Sequence, residues 1–237
     1  MIQYERQKKI LEVLKEKNTM TVEEIAEKIF FSQSTVRRDI KALEQQGYVH
    51  SLYGGVMLSE YRNSVVPVNM RNSSFSSVKE NLAKQASEMI FDGAVVIMDS
   101  SSTVRRICKY IKPNVRVKIV TNNLSIFDEP HGDNVKLYCT GGFYNALNRN
   151  FIGSGAEKYI KDINADIVFF SSQGLSEDGD ITDVSEEETY LRAVMLEHAT
   201  QKVFLCDSSK FGEKKTFRLC TKNDVDKIIC DIKLPWE

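Results

Sequence analysis

Charge of one sign is missing from this sequence: 32 Lys+Arg stand against 33 Asp+Glu in 237 residues, a formal net charge of -1. That balance excludes a supercharged chain, and 42% hydrophobic residues exclude a disordered one. Any nucleic-acid signal must therefore come from where charges sit, because residues 1–60 hold nine Lys+Arg and nine Asp+Glu. With 12 Gly and 4 Pro the chain is not collagen-like. No run of about 18 apolar residues occurs, and the start MIQYERQKKILEVLKEK is charged where a signal peptide needs an apolar stretch. These absences predict a soluble cytoplasmic protein with no membrane partner. The five cysteines form an odd set with no close pair in sequence and read as buried free thiols in a reducing compartment. His50, His131 and His198 lie far apart with no second ligand at a recognised spacing, so no metal is expected. Neither G-x-G-x-x-G nor a Walker A sequence occurs, and no cofactor is expected.

At ~150 residues per domain the length suits a small domain joined to a mid-sized one. From Tyr4 to Lys17, Ile10, Leu11, Val13 and Leu14 mark a helical face, with Asn18-Thr19 as its stop. Thr21 can cap a second helix, with Glu24 completing a capping box, and Ile29-Phe30-Phe31 is expected to turn inward. Ser32 opens a third helix that runs to about Gln46. There Val36, Ile40 and Leu43 face the core, while Ser34, Arg37, Arg38 and Lys41 face away. A hairpin follows, with strands at Tyr48-Val49-His50 and Val56-Met57-Leu58 around Leu52-Tyr53-Gly54-Gly55. Three helices plus this wing describe a winged helix-turn-helix, whose third helix enters the major groove of double-stranded DNA. Ser34 and Thr35 are short enough to let the backbone approach. Arg37, Arg38 and Lys41 reach phosphates or base edges, and Tyr53 and Gly54 belong to the wing tip. Domain boundaries are expected at 1–58 for this head, 59–76 for a Ser- and Asn-rich linker, and 77–237 for a second domain.

The second domain alternates strands and helices. A helix from Lys79 to Ile90 leads through Asp92-Gly93 into the apolar run Ala94 to Met98. A helix is expected from about Val104, with further strands at 117–120, 135–138, 167–170, 203–206 and 227–230. This is an α/β fold with an open, largely parallel sheet, and ligands of such sheets bind beyond the carboxyl ends of the strands. Polar residues cluster there: Asp99 with Ser100, Ser101, Ser102 and Thr103; Thr121 and Asn122; Gly141; Gly174; and Asp207 with Lys210. Hydroxyls, glycines and helix-start N–H groups suit a phosphate, and Lys210 adds a compact positive charge. The run Ser185-Glu186-Glu187-Glu188 reads as a solvated helix start.

The whole pattern resembles the DeoR family of bacterial transcriptional regulators, from about Tyr4 to Asp231. The likeness rests on Glu5 to Leu11, on Ser32-Gln33-Ser34-Thr35-Val36-Arg37-Arg38-Asp39-Ile40 with the leucine that follows, and on Gly54-Gly55. In the second domain it rests on Asp92-Gly93, Thr121-Asn122, Gly141-Gly142, Asp166-x-x-Phe169, Gly174 and Asp207-Ser208-Ser209-Lys210-Phe211-Gly212. The resemblance implies that the second domain senses a phosphorylated sugar and is related in fold to ribose 5-phosphate isomerase. Four positions depart from the family pattern. Ser101 and Ser171 stand where glycine is usual, and Ser51 and Tyr53 take the places of Arg and His in the wing.

The expected function is a DNA-binding regulator, a repressor of a carbohydrate operon that responds to a phosphorylated sugar. It is expected to work as a homodimer or higher even oligomer, because one small head has a limited footprint. Two alternatives come from other classes. In a sugar-phosphate isomerase with an appended DNA-binding domain, Asp99 or Asp207 would abstract a proton. In an architectural DNA-bound protein, the sensor domain would be inactive.

Overall fold

The apolar stripe of the first residues is realised as helix α1, Gln3–Glu16, with Ile10 and Leu14 fully buried. The computed structural model describes residues 3–17, 19–45, 48–52, 55–58 and 75–236. The chain forms two compact units, Met1–Ser74 and Phe75–Glu237. The expected linker falls outside the described residues up to position 74, and Ser76 already belongs to a helix.

In the first unit, strand β1 (Thr19–Met20) follows α1, then α2 (Val22–Ile29), α3 (Gln33–Gln45), β2 (Val49–Leu52) and β3 (Gly55–Leu58). The capping box forms as expected: the Glu24 amide donates to Thr21 Oγ1 at 3.0 Å, and the Thr21 amide donates to Glu24 Oε2 at 2.8 Å. Helix α1 ends at Glu16, ahead of the expected stop, and Thr19 starts β1, which pairs antiparallel with β3 and gives the wing hairpin a third strand. Phe30 does not turn inward. It ends α2 in the left-handed region, at φ 58, and is 89% exposed, while Ile29 is buried and Phe31 packs against the head's core. The amides of Phe30 and Phe31 donate back to Glu27 and Ala26 carbonyls, which holds this turn in a conformation costly for a residue with a Cβ.

In the second unit, α4 (Ser76–Ser87) begins and ends three residues before the expected helix. Then come β4 (Val95–Met98), β5 (Val117–Thr121), β6 (Val135–Cys139), the hairpin β7 (Phe143–Asn145) and β8 (Asn150–Ile152), and α5 (Ser154–Lys161). They are followed by β9 (Ala165–Phe170), β10 (Gly174–Leu175), β11 (Asp180–Asp183), α6 (Glu186–Glu197), β12 (Ala199–Cys206), β13 (Phe217–Thr221) and β14 (Lys227–Cys230). Six of these strands form one sheet in the order β14-β12-β9-β4-β5-β6, with every pairing parallel. Strands such as Val96-Ile97-Met98 are buried on both faces, which explains their continuous apolar runs. One face packs on α4 through Leu82, Ala83 and Ala86. The other packs on α5 and α6 through Ile160, Leu191 and Met195.

The chain winds from β4 outward to β6, then returns to β9 and continues through β12 to β14. The order therefore reverses between β4 and β9, and their carboxyl ends open the crevice where doubly wound sheets take ligands. One element differs in kind from its expectation. Val104–Tyr110, after the serine loop, is a 3-10 helix, and Ser208–Lys210 is another of three residues. Such short, tight turns lack the aligned dipole of an α-helix, so helix-start attraction of a phosphate is not available at these two loops.

Candidate nucleic-acid interface and effector site

On α3 the predicted division of faces is observed. Val36, Ile40 and Leu43 are buried, whereas Ser34, Arg37, Arg38 and Lys41 are exposed and Thr35 is half-buried. Ser32 caps the helix. Its Oγ accepts from the Thr35 amide at 3.3 Å and bonds the hydroxyls of Ser34 at 3.0 Å and Thr35 at 2.9 Å. A groove of about 510 Å³ runs between α3 and the hairpin, lined among others by Gln33, Arg37, Lys41, Glu44, Ser51 and Gly55. Arg37 and Lys41 thus share a wall of the groove, and Arg38 stands outside it. Tyr53 and Gly54 lie outside the described residues.

Two interactions that set this face were missed from sequence. Asp39, within the Arg-Arg-Asp motif, is fully buried and bound by Arg6 of α1, whose Nη2 donates to Oδ1 at 2.9 Å and whose Nε donates to Oδ2. The Arg6 guanidinium also lies 5.3 Å from the centre of the Phe31 ring. Asp39 therefore fixes the third helix to the first instead of facing outward. Glu44 accepts from the Ser51 amide at 2.7 Å and from Ser51 Oγ at 2.9 Å, tying α3 to the first wing strand. Ser51 is one of the departures from the family pattern, and here it serves as a donor to the helix.

In the second unit a buried ion cluster supports the β4/β9 crevice. Arg192 of α6 donates from Nε to Asp99 Oδ2, from Nη1 to Asp183 Oδ2 and from Nη2 to Glu188 Oε2, each at 2.8 Å. All four side chains are at most 4% exposed. Burial works against the guanidinium, but Asp183, Asp99 and Glu188 outweigh it and hold its pKa above the ordinary value. Glu188 Oε1 also accepts from Asn148 Nδ2 at 2.6 Å and Asn150 Nδ2 at 2.9 Å. The acidic run at the start of α6 is consequently only partly solvated: Glu186 and Glu187 are exposed, and Glu188 is buried. The i,i+4 spacing of Glu188 and Arg192 was the available signal.

The predicted site residues sort into three groups. Asp99 is committed on both oxygens, accepting from the Ser101 amide at 3.0 Å, the Ser171 amide at 3.1 Å and Arg192. Ser100, Ser101, Ser102 and Thr103 are buried rather than displayed. Ser100 Oγ accepts from Asn150 at 2.8 Å, Ser101 Oγ from the Val104 amide at 3.1 Å, and the Ser102 carbonyl from Arg106 Nε at 3.1 Å. Thr121 Oγ1 accepts from the Asn123 amide at 3.1 Å.

Lys210 and Asp207 form the second group, at the end of β12. Lys210 Nζ donates to Ser171 Oγ at 2.7 Å and lies 3.7 Å from Asp207 Oδ2, with its side chain 18% exposed. The glycine-to-serine departure at 171 thus gives the lysine a hydroxyl partner. Burial pushes the Asp207 pKa up, but Lys210, the Ser209 hydroxyl and Lys79 of α4 prevail and keep it below the usual carboxylate range. Asp207 is therefore held as an ion-paired anion, which is a weak base, while both oxygens of Asp99 are already taken up by backbone amides and Arg192.

Gly141 and Gly174 form the third group. Gly141 follows β6, two strands from β4. Gly174 lies in β10, where a Cβ would meet the Glu213 carbonyl oxygen at 2.5 Å. It lets the loop after Lys210 close against β10, where the Gly212 amide donates to the Leu175 carbonyl at 2.8 Å.

Residues 6–62 match the family model described as the DeoR-like helix-turn-helix domain, and residues 74–232 match the DeoR C terminal sensor domain. The chain belongs to the DeoR family. It is a DNA-binding transcriptional regulator built from a winged helix-turn-helix head and an open parallel α/β sensor domain. The HTH-type transcriptional repressor GlcR of Bacillus subtilis (strain 168) is 30% identical to this DeoR-family chain over 236 residues, 99% of this chain and 90% of the relative. The L-fucose operon activator of Haemophilus influenzae is 27% identical over 231 residues, 97% and 92% of the two chains. Among solved structures, ribose 5-phosphate isomerase A from Methanocaldococcus jannaschii matches with a TM-score of 0.43 and 15% identity over 58% of this chain and 55% of that one. Among the described residues of this DeoR-family protein, no helix is long and apolar enough to cross a membrane.

Proposed function

We propose that this DeoR-family protein represses a carbohydrate-use operon and that its affinity for double-stranded operator DNA changes when a phosphorylated sugar binds the sensor domain. Arg37 and Lys41 in the groove, with Arg38, Ser34 and Thr35, make the DNA contact in this reading, and Tyr53 and Gly54 complete it from the wing. A head this small needs a second copy for useful specificity, so a homodimer or higher even oligomer is the working form. The family relatives named a repressor and an L-fucose operon activator support a role in carbohydrate control.

The observation that carries the effector reading is a set of buried oxygens at the strand ends. Thr103 Oγ1, Asn122 Oδ1 and Asn150 Oδ1 have no hydrogen-bond partner among the described residues. The two amides cannot simply turn over. Asn122 Nδ2 donates to the Phe151 carbonyl at 2.9 Å, and Asn150 Nδ2 donates to the Glu188 carboxylate; both partners only accept. Each oxygen left in this state costs about 1–3 kcal/mol, which a ligand hydroxyl would offset. Lys210, at the end of β12 and bonded to Ser171, whose amide in turn bonds Asp99, supplies the cation for a phosphate. A phosphorylated sugar carries both complements, hydroxyl donors for the amide oxygens and an anion for the ammonium. Asp99, Ser100 to Ser102 and Thr121 support this site from beneath, and Asp207 sets the position of Lys210. For coupling, a hundredfold difference in effector affinity between the two conformations corresponds to about 2.7 kcal/mol.

The test is operator release followed by fluorescence anisotropy, titrated with sugar phosphates beside their unphosphorylated parents. Only the phosphates are expected to act, and Lys210→Met is expected to bind operator normally while needing far more effector. Equal action of the unphosphorylated sugars, or a wild-type response in Lys210→Met, rejects the reading.

A further inference from the structure

Cys206 and Cys230 end β12 and β14 at the same register, the last of four successive pairs that begin with Val203 and Lys227. Register partners on adjacent parallel strands leave the sheet on the same face about 4.8 Å apart, and a disulfide accepts Cα separations of about 4.4–6.8 Å. The Cys206 thiol donates to the Asp207 carbonyl at 3.4 Å and the Cys230 thiol to Asp231 Oδ1 at 3.9 Å, so each sulfur sits at the very end of its strand beside the other's register position. Cys206 lies in the apolar core beneath α6, whereas Cys230 is half-buried on the outermost strand of the sheet. One thiol is thus reachable from solvent and the other waits directly behind it.

We infer that Cys206 and Cys230 form a reversible oxidation site, at which a hydroperoxide converts the two thiols into a disulfide across the ends of β12 and β14. The Cys230 thiolate attacks a peroxide oxygen. An S–O bond forms, the O–O bond breaks, and the departing hydroxide or alkoxide takes a proton from water, leaving Cys230 as a sulfenic acid. Cys206 then attacks the sulfenic sulfur. The S–S bond forms as the S–O bond breaks, and the Cys206 proton leaves with the hydroxide as water. The two sulfurs together lose two electrons and the peroxide gains them.

The other thiols are placed less well for this chemistry. Burial pushes Cys108 and Cys220 up to about 12, while the neighbouring Cys206 thiol brings Cys230 down to about 7. Reactivity follows the thiolate fraction and access. Cys139 is half-buried, but its register partner on β5 is Thr121, which offers no second sulfur. Disulfide Cβ atoms prefer about 3.5–4.5 Å, a little closer than parallel strands hold them, so the bond would draw the strand ends together and be easily reduced. Those ends lead straight into Asp207 and Asp231, and Asp231 already accepts from the Ser208 amide at 2.6 Å and Ser208 Oγ at 2.9 Å. The oxidised pair therefore tightens the segment that carries Lys210, whether or not a sugar phosphate is the effector.

Full-length protein is treated with equimolar hydrogen peroxide, alkylated and mapped by mass spectrometry, with and without dithiothreitol. The expected product is one cross-linked peptide pair containing Cys206 and Cys230, which dithiothreitol returns to two alkylatable thiols. Cys230→Ser, a change at a half-buried edge position, is expected to abolish the cross-link and leave Cys206 a thiol. Cys206→Ala is expected to leave a dimedone-trappable sulfenic acid at Cys230. A cross-link to another cysteine or between two chains overturns the inference. So does faster oxidation of Cys139, or Cys230 left unoxidised or carried to sulfinic acid while Cys206 stays reduced.

Discussion

Arg37, Arg38 and Lys41 stand in solvent on α3, whereas Arg192 of the sensor domain is sealed among Asp99, Asp183 and Glu188. The two regions use the same kind of side chain for opposite ends. An exposed cation has its water and gains a partner only when an anionic molecule arrives, so its energetic weight lies in binding. A buried cation has lost its water, and its weight lies in holding β4, β11 and α6 in one arrangement. The head contains one small version of the second kind, the pair between Arg6 and Asp39.

The sharpest way to break this comparison is Arg192→Met, which keeps the stem and leaves three buried carboxylates without their cation. A loss of about 3–5 kcal/mol is expected. Urea unfolding followed by circular dichroism should show a weakened sensor-domain transition, and an unchanged midpoint would refute the central role of Arg192. Next in size is Asp39→Asn, expected to cost the head about 1.5–3 kcal/mol by weakening two charge-assisted hydrogen bonds. Thermal unfolding of the variant tests it, with reduced operator binding only where the head has melted.

For the exposed set the expectation is reversed: little change in stability and a clear change in salt dependence. Arg37→Ala and Lys41→Ala should each lower the slope of log affinity against log salt by about 0.9. If both slopes stay at the wild-type value, the groove is not the DNA surface. Arg38→Ala, outside the groove, distinguishes a contact made by the whole exposed face from one confined to the groove.

The smallest effect belongs to Glu80 of α4. Burial pushes its pKa up, but Tyr110, Lys109 and Arg106 donate to it and bring the pKa below the usual value. A group depressed in the folded state contributes stability above its unfolded pKa, and this is lost as pH falls through the folded one. Acidification from about pH 5 to 3 should therefore destabilise the wild type more than Glu80→Gln, by less than about 1 kcal/mol. Parallel pH profiles would remove this assignment.

What the sequence disclosed divides along the same line. The capping box of Thr21 and Glu24 and the two faces of α3 depend on neighbours three or four residues apart, and they were legible. So were the strands buried on both faces, because nothing but continuous apolar residues can fill them. Asp99 could be placed at a strand end, but its partner lies 93 positions away, and only the winding of the sheet brings α6 there. Glu188 was hidden inside a run of three glutamates whose first two members are indeed solvated. The 3-10 turn after Thr103 escaped because the residues Val104 to Tyr110 suit either helix, and the bonds of the preceding loop decide between them. Phe30 misled because an aromatic beside Ile29 resembles core, yet the helix ends there and its backbone turns the ring outward.

Among the described residues the parallel sheet ends on β6 and β14, whose outer edges pair with no further strand. Exposed Lys136 sits within one and exposed Lys227 opens the other. A second strand laid alongside either would bring two ammonium groups together and have to strip their water, which discourages open-ended stacking into fibrils. In the proposed dimer, two copies would thus share one operator at high local concentration without their sheets fusing, and the faces and helices would be left to set how many copies assemble.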